Sequence, residues 1–293
     1  MDGVVCLLKP PGMTSSNAVS DIRKLYGQQR VGHLGTLDPA AAGVLPVCIG
    51  RATRLFDLLV DKEKEYVFEA AFGTRTDTQD AFGKVMERND RRVGREEVKD
   101  SLPAFLGKQM QEASIYSALK VDGRKMCDLA RAGEAVQPKI REIDIREIEL
   151  LGQTSYNRFL IRTVCSRGTY IRSLCESIAK SLGTVAYVSF LLRTRSGPFT
   201  IEHARTLNEL EEEKSSVALM ESIVSCEEAT SFLPELRLGK DRESATKNGL
   251  ETNLSGVADG VVRAYASDQF LGIGEIQAGK FRLSIHLYES PQP

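Results

Sequence analysis

Apolar and polar positions change places along this chain in short stretches rather than in long helical repeats. Residues 3–8 (GVVCLL) form an apolar run halted by Pro10 and Pro11, which predicts a short buried strand. In SSNAVSDIRKLYG, Val19, Ile22 and Leu25 recur at helical spacing, predicting a short helix that ends at Gly27 with Ser15 or Ser16 as its N-cap. EYVFEAAF (65–72) is rich in strand formers, and GTRTDTQDAFG after it reads as a turn-rich loop, with Asp77 and Asp80 suited to Asx turns. From about 90 to 137 the chain is strongly charged and reads as helical, with Val93, Val98, Leu102 and Phe105 as one stripe. Residues 143–150 and 157–166 read as strands. In TYIRSLCESIAKSLG, Ile171, Leu174, Ile178 and Leu182 mark one face of a helix, with Thr169 as cap and Gly183 as stop.

Beyond residue 230 the pattern changes to short strands with Gly-containing turns, in which GVVRAYAS, FLGIGEI and KFRLSIHL alternate apolar and polar residues. This predicts a small β-rich domain over 231–293 behind a larger domain over 1–230. The larger part mixes helices and strands without regular βαβ alternation, so the expected fold class is α+β with a mixed, mostly antiparallel sheet flanked by helices.

With 293 residues and 42% apolar content, the chain can bury a large core. Six cysteines are scattered singly, with no CxxC pair and three histidines in all, which argues for buried reduced thiols and against a zinc site or a disulfide framework. The N-terminus has too short an apolar run for a signal peptide, and no later run approaches membrane-spanning length; a cytoplasmic protein is the expectation. The net charge of −1 hides a segregation. Residues 139–205 carry eleven Lys/Arg against six Asp/Glu, whereas 206–230 carry seven acidic residues against Lys214 alone. A basic substrate face and ordinary solvated surfaces both fit that pattern.

The stretch VGHLGTLDPAAAGVLPV (31–47) holds one acidic residue, Asp38. Asp followed by Pro39 and AAAG matches a helix N-cap with proline at the first helical position. Pro39 also holds Asp38 in extended backbone, which suits a displayed nucleophile equally well. Arg172 falls in the first turn of its predicted helix, where the helix dipole disfavours a cation by about 0.3–1 kcal/mol. Such an arginine either reaches into solvent or pairs with a buried carboxylate, keeps it ionised and orients it. Tyr66 and Tyr170 could stack on a base or simply fill the core.

Several stretches together resemble one family, the TruB-type tRNA pseudouridine synthases: LLKPPGMTSSNAV, VGHLGTLDPAAAGVLPVCIGRATR, KEYVFEAAFGTRTDTQDAFG, YSALKVDGRKMCDLARAG, CSRGTYIRSL and FLGIGEI. The resemblance implies an isomerase that turns a tRNA T-loop uridine (position 55) into pseudouridine after flipping it out, with no cofactor and no metal. It also implies the pseudouridine-synthase fold with a PUA-like C-terminal domain, an RNA-gripping insertion at about 90–137, and a stand-alone monomer with no obligatory protein partner or membrane. It assigns Asp38 as nucleophile, Arg172 as its partner, and Tyr66 as the stacking aromatic and a candidate base. Substrate contacts are assigned to Tyr170, His33, Lys9 and Leu191, and backbone contacts to Lys120, Arg124 and Lys125. Leu34, Ala40, Ala113, Ser114 and Leu192 depart from the family's usual pattern. A binder that holds tRNA without modifying it, and a synthase acting on another RNA, are the alternatives.

Overall fold

The structure, a computed structural model, describes residues 1–288 except 115, 117–119, 122, 127–128, 130–131, 133, 135–136 and 215–216. At 120, 121 and 125 it describes the backbone alone. Among the described residues a ten-stranded sheet forms the centre of the larger part, its main path running Ile223–Val224, Gly3–Lys9, Ala42–Ile49, Ala186–Ser196, Lys64–Phe72, Arg158–Cys165, Ile140–Ser155, Gly107–Glu112. The pairing of Ala42–Ile49 with Ala186–Ser196 is parallel and the others on this path are antiparallel, as the expected fold class requires.

The strand Ala42–Ile49 is buried almost throughout, because both of its faces are covered. Leu45, Val47 and Ile49 face the helix Ser15–Leu25, whose Ala18, Val19 and Ile22 close that side. Val44 and Cys48 face the opposite way, into a core that also takes Ile273 and Leu287 from the C-terminal part. The helix Ile171–Ser181 lays Leu174, Cys175 and Ile178 on Phe68, Phe159 and Ile161 of the sheet. Behind these lies a five-stranded sheet whose strands run from Glu235–Leu238 to Lys280–His286. It holds its own core of Leu236, Val262, Leu271, Ile276 and Phe281.

Several local expectations are revised. Thr14, not Ser15 or Ser16, caps the first helix, its side chain accepting from the Asn17 N–H. Tyr170 stands at the N-cap of the later helix with no side-chain cap, while the Thr169 hydroxyl donates to the Ser166 carbonyl. Within 90–137 the helical reading holds for Arg95–Ser101 and a 3-10 turn at Leu102–Phe105, but Gly107–Glu112 is an edge strand of the main sheet. Val93, Val98 and Leu102 are buried as one stripe, with Phe105 packed beside them. Cys6, Cys48, Cys165, Cys175 and Cys226 are free and buried; Cys127 lies outside the described residues. Among the described residues no helix is long and apolar enough to cross a membrane.

Candidate active site

Asp38 caps no helix. The chain after it makes one turn, closed by the Ala41 N–H donating to the Asp38 carbonyl at 3.0 Å, and then enters the strand Ala42–Ile49. Gly43 is required there: its φ is +118°, and a Cβ would stand 2.2 Å from the Arg193 carbonyl oxygen on the adjoining parallel strand.

The loop 34–41 is held in place carbonyl by carbonyl. Arg193 donates from Nη2 to the Gly35 oxygen and from Nη1 to the Thr36 oxygen, both at 3.3 Å. Ser15 Oγ donates to the Leu37 oxygen and accepts from the Leu37 N–H, both at 2.9 Å. The Gly12 N–H donates to the Pro39 oxygen at 2.7 Å, and Lys9 Nζ donates to the Ala41 oxygen at 2.7 Å. A backbone so fully bonded keeps one conformation, and with it the direction of the Asp38 side chain.

Arg172 meets that side chain, with Nη2 2.8 Å from Asp38 Oδ2. The arginine side chain is 5% exposed and the aspartate 34%, so the cation is the buried member and the carboxylate looks out at the pocket mouth. The expectation of a buried carboxylate is corrected accordingly. Arg172 is itself fixed, donating to the Thr78 oxygen at 2.9 Å and the Tyr116 oxygen at 3.2 Å, with Asp80 Oδ2 at 3.7 Å from Nη1. A guanidinium that takes two carbonyls and two carboxylates presents its remaining edge to Asp38 in a fixed plane.

Asp38 and Arg172 line a cavity of about 340 Å³, together with Tyr66, His33, Tyr170, Leu191, Lys64 and Arg193. Tyr66 lies on Lys64–Phe72, directly across from Arg193 and Thr163 on the two flanking strands. Burial pushes its phenol well above the ordinary range, while the charge of Arg193 and a hydrogen bond to it pull the other way. His33 is pushed down by burial and by Arg193, against a weaker contribution from the Gly35 backbone, and its Nδ1 has no partner. Its ring therefore enters the wall as a neutral imidazole. The backbone of Tyr170 is clasped by Gln111, which accepts from its N–H at 2.8 Å and donates to its oxygen at 3.0 Å. Arg141 stands over the Tyr170 ring at 5.6 Å.

Asp38, Tyr66, Arg172, Tyr170, His33 and Leu191 are thus brought together. Lys9 is not among the lining residues. It is fully buried and donates to the Pro10, Met13 and Ala41 oxygens, so its expected role as a substrate contact gives way to pinning the Asp38 loop. Burial takes its pKa down to about 8. Arg124 is exposed and pairs in bidentate fashion with Glu134, while the side chains of Lys120 and Lys125 lie outside the described residues. Part of the basic excess of 139–205 is taken up by carboxylates: Arg158 pairs with Glu69, Arg162 with Glu65, Glu147 and Glu149, and Arg205 with Glu213.

Arg193, Lys64 and Gln111 escaped the sequence reading, and Ser15 was read only as a helix cap, not as the residue that holds Leu37. Arg193 carried one signal, a cation inside the apolar run FLLRT; it is 1% exposed and reaches the Val44 oxygen at 2.7 Å besides the two loop carbonyls. Lys64 is also buried, its ammonium against the Val60 and Lys62 carbonyls and its pKa down to about 8.

Residues 23–171 match the model of the TruB family pseudouridylate synthase N-terminal domain, and residues 172–231 match that of the tRNA pseudouridylate synthase B C-terminal domain. The chain belongs to the TruB family. Its relatives include the tRNA pseudouridine synthase B of Caldanaerobacter subterraneus, 39% identical over 96% of this chain and 98% of that protein. The tRNA pseudouridine synthase B of Clostridioides difficile is 36% identical over 97% and 98%. Among solved structures, a Cbf5-Nop10-Gar1 complex contains a chain that superposes with a TM-score of 0.72 at 28% identity, covering 93% of this TruB-family chain and 78% of its own. An H/ACA RNP bound to a substrate RNA containing 2'-deoxyuridine gives 0.71 at 27% identity, with 93% and 77% covered.

Proposed function

We propose that this protein isomerises uridine to pseudouridine in the tRNA T-loop, at position 55, with Asp38 as the nucleophile. One observation carries the reading: a solvent-facing carboxylate on a fully bonded loop, held by a buried arginine, at the mouth of a cavity within the range of about 300–1,000 Å³ usual for small-ligand sites. The close match to relatives named tRNA pseudouridine synthase B supports it.

The chemistry suits these groups. Isomerisation breaks the N1–C1′ bond, turns the uracil over and forms C5–C1′; the C5 proton leaves and N1 gains one, so no atom or electron is added from outside. An ionised carboxylate can attack C6 of the base or C1′ of the ribose, or assist loss of the C2′ proton en route to a glycal. Arg172 keeps Asp38 aimed through each of these. The half-buried Tyr66 serves as the platform on which the flipped base stacks, with Leu191 as an apolar wall. Tyr170 and the neutral His33 complete the rim. The segment 117–131, with Arg124, Lys120 and Lys125, grips the RNA backbone, and the C-terminal sheet is a PUA-like domain that extends the RNA contact. The protein acts as a monomer in the cytoplasm without an obligatory partner.

A binder that only holds tRNA is disfavoured by the same pair. A site for a polyanion gains nothing from a carboxylate at its mouth, still less from one steered by a buried cation. Tritium release from C5-labelled uridine in an unmodified transcript, by the purified protein alone, tests the reading; tight binding without release would leave the binder.

A further inference from the structure

We infer that Phe82 and Phe190 form a second base-binding surface beside the catalytic pocket, taking an unpaired nucleobase next to the target uridine. The inference rests on the reading of the Asp38 pocket as the place where the target uridine is held.

Phe82 is 73% exposed and Phe190 47%, the two aromatics flanking one shallow crevice floored by Ala40, Ala41, Ala81 and Val188. The crevice shares Asp38, Arg172 and Leu191 with the main cavity, so it continues the catalytic pocket. Neither ring is exposed through looseness of its backbone. Asp80 Oδ1 accepts from the Phe82 N–H at 3.0 Å and from Thr78 Oγ1 at 2.6 Å, while its Oδ2 faces Arg172. The Val188 N–H donates to the Gln79 oxygen at 3.0 Å, tying this loop to the strand that carries Phe190. Gly83 lets the loop close, since a Cβ there would stand 2.4 Å from Thr78 Oγ1.

Phe190 faces outward because of a bulge. Val188 pairs with Ala70 and Phe190 with Glu69, so Ser189 is one residue too many for the partner strand. Simple alternation would put Phe190 on the inward face with Ala186 and Val188. The extra residue turns it out and turns Leu191 into the pocket instead. Two large apolar rings held rigidly in water, one on a loop locked to Arg172 and the other on a strand tied to that loop, are costly unless something covers them. An RNA loop that offers its target by splaying bases supplies a flat, apolar face at that distance, and stacking on an aromatic accepts any base.

The test uses T-arm hairpin RNAs and the intact protein. Phe82→Ala is expected to weaken binding of the ordinary hairpin by about tenfold, within the span seen for loss of one stacked base, with turnover at saturating RNA unchanged. Phe82→Trp should bind as tightly as wild type. In hairpins lacking the base on the 3′ or the 5′ side of the target, one of the two should bind wild type about tenfold more weakly and Phe82→Ala no more weakly still. Equal binding of the ordinary hairpin by wild type and Phe82→Ala, losses that add for both hairpins, or unfolding of Phe82→Ala would each overturn the inference. Tritium release by wild type serves as the control: its absence would sink the reading of the pocket itself, whereas release with an indifferent Phe82→Ala would sink this inference alone.

Discussion

The pocket around Asp38 and the five-stranded C-terminal sheet are both built on mostly antiparallel strands, yet they treat charge in opposite ways. In the C-terminal sheet charge stays outside: Arg237 pairs with Asp268 and Glu235 in solvent, and Lys280 with Glu251, over a core of Leu236, Ile276 and Phe281. At the pocket it goes inside. Lys9, Lys64, Arg172 and Arg193 are the buried cations among the described residues, and each lines the pocket or pins the loop that forms it. Burying a cation costs several kcal/mol before its bonds are counted, and carbonyls repay that only in part. A fold accepts such a cost where geometry matters more than stability, so the position of the buried charges marks the working part of the molecule.

The comparison can be broken most sharply at Asp38. Asp38→Asn keeps the shape of the side chain, and no helix depends on it; turnover is expected to vanish while tRNA affinity and melting temperature stay close to wild type. A tritium-release assay beside thermal denaturation checks this. A variant that melts far earlier would mean that the carboxylate holds the loop together rather than waiting in it.

Phe281→Ala makes the opposite cut. Removing a fully buried ring from the C-terminal core should cost about 3–5 kcal/mol, read by urea denaturation, with turnover at saturating RNA unaltered. A fall in turnover would join the two regions mechanistically. Between these extremes stands Arg193→Met, which fills similar space but leaves the Val44, Gly35 and Thr36 oxygens without their donor. The expected loss is about 2–3 kcal/mol, together with slower turnover, because the Asp38 loop is then free to shift.

What could be read from the chain divides along the same line. That Arg172 could want an anion was legible, because a cation in the first turn of a helix is a local anomaly; that the anion is Asp38 came from the resemblance to the TruB family, and the structure shows the pair. That Asp38 is no cap was not legible, since the three alanines after Pro39 have high helix propensity, and the strand that opens at Ala42 forms only by pairing with Gly3–Lys9 and Ala186–Ser196, both distant in sequence. Gly107–Glu112 was hidden for the same reason: its strand character comes from Ile140–Ser155. Arg193 and Lys9 show the limit most clearly, for nothing local says which carbonyls a buried cation will find. The alternation of the C-terminal strands, by contrast, needed no distant partner to be recognised.

The smallest expected effect separates the regions by pH. Burial pushes the thiols of Cys6, Cys48 and Cys165 up to about 12 and that of Cys226 to about 11 from an ordinary value near 9, and raises Cys175 as well. Above pH 9 the unfolded chain therefore sheds protons that the native state keeps, and the stability these thiols contribute, complete below pH 9, is lost as pH rises towards 12. Lys9 and Lys64 act in the other sense: with native values near 8 against about 10.5, the penalty of burying their charge is relieved as pH climbs between those limits. Five thiols outweigh two lysines, so stability should decline above pH 9. Cys48→Ala should make that decline shallower by about 1.4 kcal/mol per pH unit around pH 10, the linkage of a single proton, in denaturation midpoints measured at several pH values. All six cysteines precede residue 230. Native-state hydrogen exchange should accordingly show the alkaline loss in the strands around Cys48 and Cys165 before it reaches the core of Phe281, and a simultaneous loss in both would mean that the two regions unfold as one cooperative unit.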